Sequence, residues 1–374
     1  MARQTGLSRS TVSEIVSDLL ETELISIGGD GPSRGGRRPV LLHFNDSAHV
    51  ILGVDMGSTH VSVMLTDLRG RELGWVHREH PVRTDPEGTE HLITELCGEL
   101  LRQHEGARKR LLGVGVAVPS PIDPLRPGRV SDVLLPDWSG HGIIEKLRFA
   151  HEVPVLVEND ANLGALAEQW WGAGRGLDDF TYVKLGTGVG SGHILRGSIY
   201  RGTTGVAGEI GHMVVEPDGE PCSCGNRGCL ETVVGTQALI RRASQLLSDY
   251  PDSRLASVDL TIEAIESAAL EGDPLALQLV RDTGVHVAAA TAGVINLLNP
   301  SAVVLGGSLA RLGPMLLAHV REAARSRTLV NSMAASSIMV TQLGPHAIAR
   351  GAATLVLDSA LADPRIFPSL SDGR

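Results

Sequence analysis

The sequence has few aromatic residues, few cysteines and no excess of positive charge. Aromatic residues make up 3% of its 374 residues, four residues are cysteine, and the net charge is −10. That charge excludes a protein that coats nucleic acid or anionic membrane without specificity, although a local basic element can still bind DNA. No hydrophobic run reaches the ~18 residues of a membrane helix, and the N-terminal residues lack a signal-peptide core. We therefore expect a cytoplasmic protein with no membrane partner.

Small residues are abundant instead. The chain has 44 glycines and 42% hydrophobic residues, which indicates an α/β protein whose core is packed from small side chains. Its length exceeds that of a usual single domain, so two or three domains are expected.

One histidine and three cysteines have the spacing of metal ligands: His212, Cys222, Cys224 and Cys229. Three thiolates and one imidazole complete a tetrahedron around Zn²⁺ and leave no position for water, which is typical of a structural zinc site. Gly225 and Gly228 allow the short cysteine loop to turn back on itself. The alternative is a run of buried or disulfide-linked cysteines, which is less typical of a cytosolic protein. Cys97, inside a helix-like segment, is predicted to be a core residue.

Residues 1–44 are predicted to form a winged helix-turn-helix. Ser8 is a candidate N-cap, and after it apolar residues recur at helical spacing, at Val12, Ile15, Val16, Leu19 and Leu20. Strand-like segments at 24–27 and 40–44 would form the hairpin of the wing. A helix of this kind can read bases in the major groove, and its candidate DNA-contacting residues are Arg9, Ser10, Thr11 and Ser13.

The loop between the two strands adds three candidate DNA contacts, Arg34, Arg37 and Arg38. Arginines next to glycines can enter a narrow minor groove, whereas the alternative is an ordinary solvated linker. Glu14 counts against strong binding, because it would face phosphates. The helix that normally precedes the turn is expected to be absent, so that either the start at Met1 is late or the module is truncated.

From residue 50 the pattern becomes α/β. Strand-like runs at 50–54 and 61–66 flank a turn at 55–59, and the runs at 181–185 and 193–195 repeat that arrangement around a turn at 186–192. This internal similarity predicts two related lobes with a nucleotide cleft between them, as in the actin and hexokinase ATPase fold. Residues 50–374 would form this body.

Several motifs of the body resemble the ROK family of repressors, open reading frames and sugar kinases. They are Asp55 to Thr59, Pro119 to Asp123, Glu158 to Asn162, Gly186 to Gly190, Gly208 to His212 with the following cysteine loop to Glu231, and Leu305 to Gly307. The resemblance implies an ATP cradle for which Mg²⁺ is held by Asp55, usually through water. The residues that would surround the phosphates and the adenosine are Gly57, Thr59, Gly186, Thr187, Gly188, Gly306 and Gly307.

The same resemblance implies a sugar site with Asp160 as the catalytic base, since sugar phosphorylation needs a carboxylate within reach of the attacking hydroxyl. The residues implied to bind the sugar are Asn159, Asp160, Glu209, His212 and Glu231. His212 could then serve both the zinc and the sugar. The alternatives are that Asp160 is a helix N-cap and that each glycine loop is a tight turn.

The chain departs from the kinase pattern at three places. His60 stands where the kinases usually have lysine, Ser120 follows Pro119 where they have glycine, and Leu134 replaces an asparagine that binds sugar. These departures count against a glucose-type pocket, and the alternatives are a different sugar or a deoxy or N-acetylated one.

Two functions from different classes fit these motifs. The N-terminal module favours a sugar-responsive transcriptional regulator, a repressor whose partners are a DNA operator and a sugar or sugar phosphate. The intact glycine loops, together with Asp55 and Asp160, favour an ATP-dependent sugar kinase as the alternative. A purely structural zinc protein fits less well, because several carboxylates and amide-bearing loops are expected at one cleft. We expect a homodimer or homotetramer, because one short recognition helix contacts few base pairs.

Overall fold

The computed structural model describes residues 2–30, 40–125, 135–139, 141–329 and 336–367. The predicted minor-groove arginines Arg34, Arg37 and Arg38 lie outside these ranges, as does Leu134.

The N-terminal residues form two helices and a hairpin. Helix α1 spans Ala2–Thr5, α2 spans Arg9–Glu21, and strands β1 (Ile25–Asp30) and β2 (Val40–Phe44) pair antiparallel. The Ser8 hydroxyl accepts a hydrogen bond from the Thr11 N–H, so the predicted N-cap is confirmed. A helical turn, α1, precedes the turn where the sequence led us to expect none.

Helix α2 is amphipathic, yet none of its residues is fully buried. Four residues of its apolar stripe are half-buried, whereas Ile15 is 41% exposed. The predicted apolar face is therefore only partly covered by the described residues of the chain.

The first lobe is built on a five-stranded sheet with the order β5-β4-β3-β6-β7. Its strands are β3 (Val50–Met56), β4 (His60–Asp67), β5 (Glu72–Glu79), β6 (Leu111–Val118) and β7 (Val155–Asn159). Helices α3 (Pro86–Gln103) and α4 (Ile143–His151) belong to the same lobe. Cys97 lies in α3 and is fully buried, as predicted, and burial raises the pKa of its thiol to about 12.

The second lobe follows helix α5 (Asp160–Trp171) and has a sheet with the order β10-β9-β8-β11-β12. Its strands are β8 (Phe180–Leu185), β9 (Val189–Leu195), β10 (Ser198–Ile199), β11 (Ala302–Gly306) and β12 (Ser337–Val340). Its helices are α6 (Leu230–Val234), α7 (Thr236–Leu246), α8 (Ile262–Leu270), α9 (Pro274–Leu298) and α10 (Gly313–Arg325), and α11 (Ala347–Ala362) follows β12.

The two sheets have the same internal pattern, which confirms the predicted pair of related lobes. In each sheet a central strand pairs antiparallel with the next strand along the chain and parallel with a later one: β3 pairs with β4 and β6, and β8 pairs with β9 and β11. The turns after β3 and β8 therefore occupy equivalent places in the two lobes.

Helices α5 and α11 pack against each other and connect the lobes. Helix α11 lies directly on the first sheet, where a Cβ at Gly115 would come within 1.8 Å of the Ala352 carbonyl oxygen. Only glycine allows this approach of helix to strand. No helix in the described ranges is long and apolar enough to cross a membrane.

Candidate functional site

The cleft between the lobes collects the predicted sugar-binding residues. Strand β7 ends at Asn159, α5 starts at Asp160, and Glu231 lies in the first turn of α6. Glu209 and His212 come from a short helical turn at Ile210–His212. All five line one cavity, together with the glycine turn after β8: Asn159, Asp160, Glu209, His212, Glu231 and Gly188. Segments far apart in the sequence thus converge on one polar pocket.

Asn159 caps helix α5, and this corrects the alternative that Asp160 is the N-cap. The Asn159 side-chain oxygen accepts hydrogen bonds from the N–H groups of Ala161 at 2.9 Å and Asn162 at 3.1 Å. Its amide nitrogen donates to the Ser120 carbonyl at 3.3 Å. Because the cap is provided by its neighbour, the Asp160 carboxylate is directed into the cleft as the first residue of the helix.

Lys184, which the sequence analysis did not select, pairs with this carboxylate. Its ammonium, at the penultimate position of β8, donates to Asp160 Oδ2, and the two side chains are 14% and 6% exposed. Burial would lower the pKa of Lys184, but Asp160, Asp55 and Glu231 raise it above its usual value. A lysine immediately before the Leu185-Gly186 turn was visible in the sequence, yet no local pattern pairs it with a residue in a different lobe.

The acidic pocket also changes the ionisation of Glu209. Burial, and then the negative charges of Asp160 and Glu231, raise the pKa of Glu209 to about 7. The Glu231 carboxylate instead accepts a hydrogen bond from the Val189 N–H at 3.0 Å. Three carboxylates therefore converge near Lys184, and they offer acceptors that suit the hydroxyl groups of a sugar.

The histidine and the three cysteines fit a tetrahedral metal. The four ligand atoms of His212, Cys222, Cys224 and Cys229 lie within 4.8 Å of one another. His212 Nδ1 is 3.5 Å from Cys222 Sγ, and the sulfurs of Cys224 and Cys229 are 3.7 Å apart. Zn–S bonds of about 2.3 Å in a tetrahedron place sulfurs about 3.8 Å apart, so the separation suits Zn²⁺.

The structure records these cysteines as free thiols, which does not support the disulfide alternative. Gly225 and Gly228 have φ angles of +94° and +64°, as the predicted reversal of the loop requires. His212 directs Nδ1 at the cluster and Nε2 at Glu209, 3.7 Å from its carboxylate. One imidazole thus connects the metal-type cluster with the cavity.

The two glycine turns that would cradle phosphates differ in their surroundings. After β3, a Cβ at Gly57 would meet the His60 ring at 2.2 Å, and His60 Nε2 lies 3.3 Å from Asp55 Oδ2. After β8, a Cβ at Gly186 would meet nothing closer than Ser308 Oγ at 3.5 Å. A Cβ at Gly57 would thus overlap the His60 ring, whereas a Cβ at Gly186 would make ordinary van der Waals contact.

The remaining cradle residues lie in or near these turns. Thr59 is in the turn between β3 and β4, and the Thr187 hydroxyl is 3.3 Å from that of Thr236. Burial would raise the pKa of Asp55, but the His60 hydrogen bond and the charges of His60 and Lys184 lower it below its usual value.

The predicted adenosine glycines have a structural reason to be glycine. A Cβ at Gly306 would meet the Tyr182 hydroxyl at 2.3 Å, and Gly307 has a φ of +83° with the Leu185 carbonyl close by. Close packing against β8 explains both residues without a nucleotide.

The candidate DNA-reading residues of α2 are all exposed: Arg9, Ser10, Thr11 and Ser13. The hydroxyls of Ser10 and Thr11 also lie 2.7 and 2.9 Å from the Ser8 hydroxyl, so they belong to the capping cluster of the helix.

The segment between module and body is held by hydrogen bonds at both ends. Asn45 donates from its backbone N–H to the Leu24 carbonyl and from its side chain to the Glu23 carbonyl. Asp46 accepts from Arg69 at 2.8 Å, and Arg110 donates to the Ser47 carbonyl at 2.7 Å. The connection is a fixed joint rather than a loose linker.

A two-lobed body of the actin and hexokinase type, with a polar cleft next to a His/Cys cluster, defines the class of protein. Residues 51–359 match the ROK family model. The chain belongs to the ROK family.

This chain is similar to sugar repressors and to sugar kinases of the family. The xylose repressor of Bacillus subtilis strain 168 is 31% identical over 361 residues, with 96% of this chain and 91% of the repressor covered. The DNA-binding transcriptional dual regulator NagC of Escherichia coli K12 is 31% identical over 332 residues, with 88% and 80% covered.

Among solved structures, a ROK transcriptional regulator described as a homologue of the E. coli MLC protein has a TM-score of 0.82 at 26% identity. It covers 99% of this chain, and 93% of its own chain is covered. A ROK glucokinase from Streptomyces griseus, solved with glucose and AMPPNP, has a TM-score of 0.74 at 31% identity, covering 82% of this chain and 98% of the kinase. A match to 99% of the chain has to include the N-terminal module, so the regulator resembles more of this protein than the kinase does.

Proposed function

We propose that this protein is a sugar-responsive transcriptional regulator, a repressor of carbohydrate metabolism. One observation carries the proposal: a helix with exposed polar residues and a polar cleft with sugar-type acceptors occur in one chain, joined by a fixed connection. Relatives named as the xylose repressor and NagC, matched over most of the chain, support the same function. The partners are then a DNA operator and a small sugar.

The DNA contacts in this proposal come from α2 and from the basic loop after β1. The helix would lie in the major groove and contact base edges and phosphates through Arg9, Ser10, Thr11 and Ser13. The minor groove would be contacted by the arginines at 34, 37 and 38. One short helix reads few base pairs, so we propose a homodimer or homotetramer that binds half-sites about one helical turn (~34 Å) apart.

Zinc would brace the sugar pocket. His212 and the three cysteines would hold the ion, and its chemistry there is structural, because four protein ligands leave no open position. The His212 Nε2 atom, fixed by ligation at the other nitrogen, would then present a defined face to Glu209 and to the sugar. We propose that Asn159, Asp160, Glu209 and Glu231 supply the remaining sugar contacts.

Signal transfer would be a rigid-body change. A sugar bound between the lobes would close them. The joint at 45–49 would pass this movement to the N-terminal module, so that the modules of a dimer no longer match the spacing of the half-sites. The hydrogen bonds of Asn45 and Asp46 on both sides of the joint support this route.

The alternative function, an ATP-dependent sugar kinase, would use Asp160 as its base. The glucokinase neighbour, solved with AMPPNP, and the turn at Gly186, which no side chain overlaps, favour it. The buried pair of Asp160 with Lys184 and the His60 ring over Gly57 count against it, because both occupy groups that the kinase reaction needs free.

A gel-shift titration on palindromic DNA from the neighbouring promoter tests the repressor function. Xylose and N-acetylglucosamine head the sugar panel, because relatives of this chain are named as the xylose repressor and the N-acetylglucosamine repressor. We expect a specific shift that sugar reverses. Replacing Arg37 and Arg38 by alanine should weaken the shift and flatten its salt dependence, whereas Arg325→Ala, an exposed arginine on α10, serves as the matched control. A shift that is absent for every promoter fragment would contradict the repressor function.

A further inference from the structure

Two basic side chains pair with the two carboxylates that the family resemblance assigns to ATP-dependent chemistry. Lys184 is paired with Asp160, the expected catalytic base, and His60 is 3.3 Å from Asp55, the expected magnesium holder. Both acids are almost completely buried, at 4% exposure each. Neither base was assigned a role by the resemblance to the family.

Lys184 is held by charge from several sides. Besides the hydrogen bond to Asp160, the carboxylates of Asp55 and Glu231 act on it electrostatically. A buried ammonium among carboxylates stays protonated, because their negative charges favour its charged form. It is therefore a permanent positive charge between the two lobes.

This charge disfavours a divalent metal at the same place. A magnesium ion near Asp55 would add two positive charges close to an ammonium, and like charges repel strongly in a buried environment. The Asp160 oxygen that holds Lys184 is also already occupied by a proton donor, so it would have to exchange that bond before accepting a proton from a hydroxyl.

His60 blocks the phosphate side of the cleft by volume. Its ring lies over Gly57, at 2.2 Å from the place of a Cβ, which is the face that a phosphate-cradling glycine leaves open. At the equivalent glycine of the second lobe, Gly186, a Cβ would make only ordinary van der Waals contacts, the nearest with Ser308 Oγ at 3.5 Å. With His60 in this position, the first glycine turn therefore leaves a phosphate less room than the second.

We propose that Lys184 is the resident cation of the sugar cleft: it holds Asp160 in place of a metal, and with His60 it prepares the cleft for an uncharged sugar without magnesium or nucleotide. The proposal rests on the function proposed above, in which this cleft binds a sugar. The carboxylates Asp160, Glu209 and Glu231 around the cavity offer hydrogen-bond acceptors, which suit the hydroxyl groups of an uncharged sugar.

Manganese is the probe of the metal-excluding role, because Mn²⁺ can be counted by its electron paramagnetic resonance signal. The zinc-loaded full chain is titrated as wild type, Lys184→Met and Lys146→Met. Lys146 is the matched control, since its ammonium also pairs with a buried carboxylate, Glu90, but outside the cavity. We expect wild type and Lys146→Met to bind Mn²⁺ equally weakly, and Lys184→Met to bind one additional ion at least ~10-fold more tightly.

Two further variants keep the proposal testable if Lys184→Met folds poorly. Lys184→Gln preserves a donor towards Asp160 without the charge and should show the same gain, whereas Lys184→Arg should exclude Mn²⁺ like wild type. Asp55→Asn should leave the Mn²⁺ binding of the otherwise unchanged chain as it was, because the cleft holds no metal to lose.

Either of two results would overturn the proposal: wild-type protein with a tight Mn²⁺ site that Asp55→Asn removes, or folded Lys184→Met and Lys184→Gln without any gain. Neither result concerns DNA. The sugar-reversed gel shift is scored separately on the same proteins, so failure of the resident cation and failure of the repressor function are distinguishable.

Discussion

Helices α2 and α5 are nearly equal in length, with 13 and 12 residues, and both begin with a side-chain cap, from Ser8 and Asn159. Their surroundings are opposite. Helix α5 has nine consecutive buried residues, from Asp160 to Glu168, and α2 has none. The same local signals therefore produce a helix that joins two lobes and a helix that presents its surface outward. Substitutions in α5 and its partners should change folding, while substitutions in α2 should change binding.

The strongest test of this contrast is at the start of α5. Lys184→Met leaves the buried Asp160 carboxylate without its cation, and breaking such a pair costs about 3–5 kcal/mol. We expect the free energy of unfolding, measured by urea titration, to fall by that amount. Adding Asp160→Asn in the same chain should recover much of the loss, since the uncompensated charge is then gone.

Lys146→Met provides the comparison for that measurement. Lys146 is 55% exposed, so the change should cost less than the loss of Lys184. If Lys184→Met and Lys146→Met lower the free energy of unfolding equally, burial of the Lys184–Asp160 pair does not make it contribute more to stability.

The contact of α5 with α11 should give the next largest effect. A Cβ at Gly351 in α11 would come within 2.0 Å of the Leu163 carbonyl oxygen in α5. Gly351→Ala should therefore destabilise by about 1–3 kcal/mol, because backbone cannot rotate out of the way.

Gly98→Ala in α3 is the matched control for the α11 substitution. Its Cβ would meet only the end of the Arg102 side chain, at 3.0 Å, which can move. Alanine is preferred over glycine inside a helix, so this change should be neutral or stabilise by up to about 1 kcal/mol. Thermal unfolding of both proteins measures the difference, and a stabilising Gly351→Ala would contradict the close packing.

Most of the body could be predicted from the sequence because its signals are local. The strand-turn-strand repeats, the long helices and the ligand spacing each lie within one stretch of chain, and the structure has strands and helices at those places. The Lys184 contact could not be predicted, since it joins β8 to the start of α5 in the tertiary fold. The contact of His60 with Gly57 could have been predicted from the sequence, because only two residues separate them and a bulky ring replaces the usual lysine.

The prediction for α2 was correct for the helix but could not say how far the helix is buried. Its periodicity correctly indicated a helix with one apolar stripe, but a stripe in the sequence does not say what covers it. Ile15 stays 41% exposed. The boundary between the module at 1–44 and the body at 50–374 stays a prediction, although β2 ends at Phe44 and β3 begins at Val50.

A more local effect is expected at the cysteine loop. Cys224→Ser removes one of the four proposed ligands, and we expect the zinc content, measured by atomic emission, to fall from one ion per chain to nearly none. Sugar affinity should fall with it, because His212 then no longer holds its position beside Glu209. Cys97→Ala is the control, since this buried thiol lies in α3 and takes no part in the cluster. Folded, zinc-free Cys224→Ser protein with undiminished sugar affinity would contradict the bracing role.

The smallest effect on stability is expected in α2, where the largest effect on DNA preference should occur. Ser10→Ala removes an exposed hydroxyl that lies 2.7 Å from the Ser8 hydroxyl. The Ser8 hydroxyl still accepts the capping hydrogen bond from the Thr11 N–H. We expect the free energy of unfolding to change by less than about 0.5 kcal/mol. Gel shifts on operator variants should nevertheless show an altered base preference for Ser10→Ala and also for Thr11→Val, because hydroxyls in this position can contact base edges.

Ser8→Ala separates the capping role from the DNA-reading role. Loss of the cap should lower the free energy of unfolding by about 1 kcal/mol without a selective change in base preference. If Ser10→Ala and Ser8→Ala behave alike in both assays, the hydroxyls at the start of α2 serve the helix and not the DNA.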